Sequence, residues 1–186
     1  MASADPTFTA FFPANYAVDV GVFASPHERT HWFPPTTSDG VTARIRPARS
    51  EPWFGYFPKP SWSNKLTPLF STPAADNILF CGSESTLVVP TSDPASFRDL
   101  GIFSVQSVLP VPDLDVIVLT CFTDIYLFDG HLVSWRSSRI SWDGFDDLRV
   151  DGHVLTGRAW DAPTDTFIPF EADLATRSIR GGPHML

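Results

Sequence analysis

Residues 124–135 read Asp-Ile-Tyr-Leu-Phe-Asp-Gly-His-Leu-Val-Ser-Trp, two largely apolar runs separated by Asp129-Gly130. Asp-Gly between such runs is a strong signal for a β-hairpin, because the tight turn needs positive φ angles. The same pair recurs at Asp151-Gly152, between the apolar residues of 148–150 and 153–155. These two stretches predict consecutive antiparallel hairpins.

The residues around the second turn also predict which side chains share a face. We expect Leu148 to face Leu155 across the turn, with Arg149, Thr156 and Arg158 on the opposite face. One apolar and one charged face is typical of an antiparallel sheet with one side in solvent.

The rest of the chain extends this pattern. Short apolar runs and turns alternate over residues 77–182, which predicts an antiparallel meander. Residues 34–75 are rich in proline and aromatic residues, and we expect long loops there around one strand at 41–45. With 186 residues, the chain has the length of one domain, 1–186. The predicted fold is mainly β, with about nine to eleven strands in a sandwich, a partial barrel or propeller-like sheets.

Part of the sequence resembles known proteins. The run 124–135 resembles the inner strands of a β-propeller blade. Residues 123–182 are similar to a group of short, uncharacterised bacterial proteins, through the motifs Trp-Arg-Ser (135–137), Ser-Trp-Asp-Gly (141–144), Gly-x-Ala-Trp-Asp (157–161) and Pro-Phe-x-x-Asp-Leu (169–174). The resemblance implies hairpin-rich β structure and supplies no catalytic residues.

Composition narrows the function classes. Lys and Arg number 13 against 21 Asp and Glu, for a net charge of −8, whereas nucleic-acid binders present basic faces. No apolar run approaches the roughly 18 residues of a membrane helix, and the first residues lack the features of a signal peptide. We therefore expect no nucleic-acid or membrane partner and a cytoplasmic location. Cys81 and Cys121 lie in apolar runs, and we expect buried free thiols.

Residues 27–31, His-Glu-Arg-Thr-His, match the H-E-x-x-H pattern of zinc hydrolases. On a helix, His27 and His31 would bind zinc, Glu51 would be a third ligand, and Glu28 would be the general base. Pro26 and the prolines after the motif leave little room for such a helix. We favour a hairpin turn and no metal or cofactor, with a small zinc hydrolase as the alternative.

Several aspartates fall in successive predicted turns. They suit a weak Ca²⁺ site or an acid/base pair, but aspartate is also common in turns for conformational reasons, which we favour. These residues are Asp143, Asp146, Asp147, Asp151, Asp161 and Asp165.

An aromatic segment between prolines offers a recognition surface. Trp53, Tyr56, Phe57 and Trp62 provide large contact areas with little conformational entropy to lose. The same side chains could instead cover one face of the sheet. We expect a non-catalytic protein-interaction module that binds a partner protein or a second copy through loop aromatics or a sheet edge. A carbohydrate-binding module is the third hypothesis.

Overall fold

The computed structural model describes residues 7–34, 40–61 and 68–183, and 51% of these described residues are β-strand. The mainly β, mostly antiparallel fold predicted from the sequence is confirmed. In chain order the strands are β1 (Phe8–Thr9), β2 (Tyr16–Val20), β3 (Thr30–Trp32), β4 (Val41–Pro47), β5 (Trp53–Phe57), β6 (Leu69–Ser71), β7 (Asn77–Cys81), β8 (Thr86–Pro90), β9 (Arg98–Asp99), β10 (Ser107–Val111), β11 (Val116–Thr120), β12 (Ile125–Phe128), β13 (Val133–Arg136), β14 (Phe145–Asp151), β15 (Val154–Asp161), β16 (Thr166–Asp173) and β17 (Ser178–Gly181). Two single 3₁₀ turns, Pro94–Ser96 and Pro112–Leu114, are the helical elements of the described residues.

The chain divides into two compact units, Met1–Ser104 and Val105–Leu186. Each contains two sheets and a hydrophobic cluster of buried side chains. The single domain expected over residues 1–186 stays a prediction.

The first unit holds the sheets β2-β4-β5-β3 and β1-β6-β7-β8-β9, in which only the β1–β6 and β3–β5 pairs are parallel. Val41, Ala43 and Ile45 of β4 are buried and alternate with polar residues, as a sheet with one buried face requires. They belong to one cluster with side chains of both sheets, including Trp53 of β5 and Phe80 of β7. The two sheets therefore share one core.

The second unit consists of two four-stranded antiparallel meanders, β10-β11-β12-β13 and β14-β15-β16-β17. Each has the up-and-down strand order of a propeller blade. Val118 and Leu127 of the first sheet join Leu155 and Phe170 of the second in one buried cluster. This is the regular antiparallel structure expected for the last part of the chain.

The two hairpins form, but their turns differ from the expected ones. Residues 129–132 form the first turn, where the Asp129 carboxylate accepts hydrogen bonds from two backbone N–H groups, both at 2.9 Å. The second turn is Gly152-His153, so Leu155 pairs with Val150 and the predicted pairing with Leu148 is wrong. The partner of Leu155 is thus two residues from the predicted one. Because side chains alternate with a period of two, these side chains keep their predicted faces.

The strand expected at 41–45 is present as β4, but the prediction that residues 34–75 hold no other strand is wrong. They contain β4, β5 and β6, which helps to raise the strand total of the described residues above the predicted range. The prolines of this segment led to the prediction of loops, but several of them lie at strand ends. Strand β4 ends at Pro47, and Pro52 and Pro58 flank β5.

Two further expectations concern the cysteines and membrane-spanning helices. Cys81 and Cys121 form no disulfide and are buried, as predicted. Within the part of the chain that the structure describes, no helix has the length and apolar character needed to cross a membrane.

Candidate functional site

The His-Glu-Arg-Thr-His segment forms a turn followed by a strand. Its turn lies at residues 26–27, where His27 is exposed with a φ of 73°, and β3 begins at Thr30. Because His27 lies in a turn and His31 in a strand, the alignment that a helix gives two zinc-binding histidines does not form. Pro26, at the bend, agrees with the preferred turn.

Glu28 forms a two-pronged ion pair with Arg44 of β4. Its Oε1 lies 2.6 Å from the Arg44 Nε and its Oε2 lies 3.0 Å from Nη2. The backbone N–H of Ser25 also donates to Oε2, at 2.9 Å. Arg44 first, and then Ser25, hold the pKa of Glu28 below its usual value. A carboxylate so stabilised is a poor proton acceptor, and Glu28 instead anchors the loop of residues 21–29 to β4.

His31 points into the core of the first unit. Its ring meets Trp53 edge-on, with centroids 5.6 Å apart, and its Nε2 is buried without a hydrogen-bond partner in the described residues. Burial, helped by Arg29, lowers the pKa of His31. Burial thus disfavours the protonated form of the ring.

The zinc site of the alternative hypothesis does not assemble. His27 and Glu51 are exposed in separate loops, while His31 faces inward. Across residues 7–34, 40–61 and 68–183, no three His, Cys, Asp or Glu side chains form a group that could hold a metal ion. Assigning His27, His31 and Glu51 as zinc ligands is thus wrong, because the segment is extended where the motif requires a helix.

The proposed aromatic surface lies mostly inside the protein. Trp53 and Phe57 belong to β5 and are 0% and 2% exposed, and the Trp53 indole N–H donates to the Thr91 carbonyl at 2.8 Å. The expectation that they lie in an exposed loop is wrong. Because the Trp53 ring is buried, it is not accessible to a sugar, as the carbohydrate-binding hypothesis requires. Tyr56 lies half-buried on the opposite face of β5. Trp62 lies outside the described residues.

An aromatic pair not foreseen from the sequence lies beside Tyr56. Trp32 of β3 stacks on the Tyr56 ring with centroids 3.7 Å apart and an interplanar angle of 7°. The Trp32 residue is nevertheless 57% exposed. Its position between buried Phe33 and inward-facing His31 was the available signal, since alternation along a strand sends Trp32 to the other face.

Strand β3 is the edge of its sheet. The Arg29 carbonyl accepts from Phe54, and the Phe33 N–H donates to Tyr56, so this side of β3 pairs with β5. By alternation, the backbone groups of Thr30 and Trp32 point away from β5. Among the described residues no strand pairs with that side of β3.

The turn aspartates of the second unit serve the fold. Asp146 and Asp147 contact the same Arg158 nitrogen, with oxygens at 2.5 and 2.8 Å. Asp147 and Asp165 have φ angles of 52° and 54°, a conformation that aspartate tolerates in turns. The turn explanation is supported, and they form no metal-binding group with other described residues.

The motifs that carried the resemblance also have structural roles. The buried Ser141 hydroxyl donates to the Gly144 carbonyl at 2.5 Å and accepts the Trp160 N–H at 3.1 Å. The Asp173 carboxylate accepts from the N–H groups of Ala175 and Thr176. These residues fix the loop before β14 and the turn before β17.

No model of a known protein family matches the chain, and comparison with curated proteins finds no match.

Proposed function

We propose that this protein is a non-catalytic interaction module that holds an extended segment of a partner protein along β3. Trp32 and Tyr56 are the aromatic anchor of this surface. The observation that carries the proposal is the exposed Trp32 ring, stacked at 3.7 Å on Tyr56 at a sheet edge with which no described strand pairs.

Stacking on Tyr56 prepares Trp32 for binding. A side chain already held in one conformation loses little entropy when a partner covers it. Exposed Trp and Tyr side chains are also the most frequent energetic anchors of protein interfaces. The pair therefore supplies apolar contact area at low entropic cost.

The open side of β3 supplies direction and register. The outward backbone groups of Thr30 and Trp32 can pair with a strand of the partner, in the mode known as β-augmentation. An exposed edge also permits pairing with a second copy of the chain. Strand β3 has three residues, so the backbone contribution is small and the aromatic anchor must supply most of the affinity.

The candidate catalytic groups support a binding role. Glu28 is engaged by Arg44, and His31 faces Trp53 in the core. Neither side chain is disposed to act on a bound substrate.

The test is a selection of random displayed peptides on the immobilised protein. We expect enriched peptides to lose roughly 30-fold in affinity for Trp32→Ala, equivalent to about 2 kcal/mol. Thr30→Pro, which removes an outward N–H, should also weaken them. Phe23→Ala is the control, because Phe23 is 90% exposed and lies outside the strands.

Failure to enrich any peptide, together with a monomeric protein in sedimentation, would refute the proposal. Equal losses in Phe23→Ala and Trp32→Ala would also refute it. A dimer that Trp32→Ala dissociates would identify the partner as a second copy.

A further inference from the structure

The solvent face of the sheet β14-β15-β16-β17 carries a shallow depression of about 570 Å³. Arg149, Arg158 and Arg180 line it together with Glu171 and the small residue Thr156. Its volume is in the range of small-molecule sites.

The strand register creates this depression. Arg149, Thr156, Glu171 and Arg180 are successive partners across the four strands, so their side chains form one row. Thr156 is short and leaves space above the central strands. The long arginines stand at both ends of the row, on the two edge strands.

The three arginines differ in what they contact. Asp146 and Asp147 engage Arg158, with oxygens at 2.5 and 2.8 Å from its Nη2. Arg149 and Arg180 are exposed, and their side chains make no hydrogen bond or ion pair with the residues that the structure describes. Two guanidinium groups are thus available to a ligand.

The concentration of cationic groups is unusual for this unit. Residues 105–186 contain twelve Asp and Glu but only six Arg; half of those arginines line the depression, against two of the twelve carboxylates, Asp147 and Glu171.

We propose that this depression binds a small ligand with two oxyanion groups, carboxylate or phosphate, one for Arg149 and one for Arg180. Each guanidinium offers a planar fork of donors that matches an oxyanion. Glu171 lies within the same row and repels the ligand, which limits its affinity. Because the site is exposed, binding weakens with added salt.

Isothermal titration calorimetry at low ionic strength tests the proposal, with tripolyphosphate and citrate as separate probes. We expect at least one to bind, and the stronger one identifies the group as phosphate or carboxylate. The double variant Arg149→Gln with Arg180→Gln should lose about tenfold or more in affinity. Glu171→Gln should strengthen binding.

Arg177→Gln is the matched control. Arg177 is exposed on the turn before β17 and does not line the depression. Its replacement removes one positive charge, as does each replacement in the double variant. We expect wild-type affinity for this variant and an unchanged urea midpoint for all variants.

Two results would overturn the proposal: binding of neither probe, or per-arginine losses in Arg177→Gln as large as in the double variant. The second would show attraction by net charge alone. Trp32→Ala should leave anion binding unchanged, so this site and the proposed function fail or succeed separately.

Discussion

Gly55 lies in the middle of β5, and replacing it by alanine should destabilise the first unit. A Cβ at this position would lie 2.7 Å from Cε2 of Phe57 and 3.0 Å from Cζ3 of Trp53. Carbon atoms normally approach to about 3.5 Å, so at least one ring must move. Both rings are fully enclosed. Trp53 is held by its hydrogen bond to Thr91, and Phe57 stacks on Phe33 at 4.7 Å.

Two opposing effects set the size of the loss. Extra volume in a filled core typically costs about 1–3 kcal/mol. Alanine also restricts the unfolded chain, which returns about 0.4–1 kcal/mol. The net expectation for Gly55→Ala is a loss of about 1–2 kcal/mol, or a melting temperature lower by roughly 2–8 °C.

Urea unfolding followed by tryptophan fluorescence measures this loss. Phe57→Leu removes the ring atoms nearest to the new Cβ, so Gly55→Ala should cost less in that background than in the wild type. Equal costs in the two backgrounds, or a Gly55→Ala protein as stable as the wild type, would contradict the packing argument.

Three further predictions concern buried polar groups. Lowering the pH from about 7 to about 5 should destabilise the wild type more than the His31→Leu variant, as measured by urea unfolding. Burial lowers the pKa of His31 in the folded protein, whereas an unfolded chain has a His pKa of about 6.5. The unfolded chain therefore binds the proton more readily, and acid favours unfolding. Iodoacetamide should leave Cys121 unmodified in the folded protein, as read by mass spectrometry, and alkylate it in urea, because burial, with Asp124, raises the pKa of the thiol to about 12. Ser141→Ala should lower the free energy of unfolding by about 0.5–1.5 kcal/mol, because it removes the hydroxyl hydrogen bonds to the Gly144 carbonyl and the Trp160 N–H, although that N–H keeps the Gly144 carbonyl as a second acceptor at 3.1 Å; an unchanged urea midpoint would contradict this.

The hairpins of the second unit were predictable because their signals are local. The Asp-Gly pairs located both turns, and alternation placed Arg149 and Thr156 on the solvent face. The pairing partner of Leu155 was not predictable, because the turn forms at Gly152-His153 and only Gly152 takes a positive φ there. Asp-Gly determines where a chain reverses more reliably than which residues pair.

Strand β5 was missed because both of its faces are covered. Phe54, on its outer face, is fully buried, so the sequence of β5 shows no polar alternation. The position of Trp32 beside Tyr56 results from the parallel pairing of β3 with β5, strands whose paired residues are more than twenty positions apart in the chain. Long-range pairing of this kind leaves no local signal. Alternation along 31–33 indicates that Trp32 lies on the outer face, but it does not indicate that β3 is a sheet edge beside Tyr56.

The contrast between local and distant strand pairing also bears on folding kinetics. In the second unit every paired strand follows its neighbour directly in the chain. In the first unit Phe8 must find Leu69 before β1 can join β6. Nucleation over short loops is fast, whereas closing long loops slows a folding transition state. The hairpins of residues 105–186 should thus form before the strands of residues 7–104 pair. The slow refolding phase should therefore appear in the fluorescence of the tryptophans of the first unit.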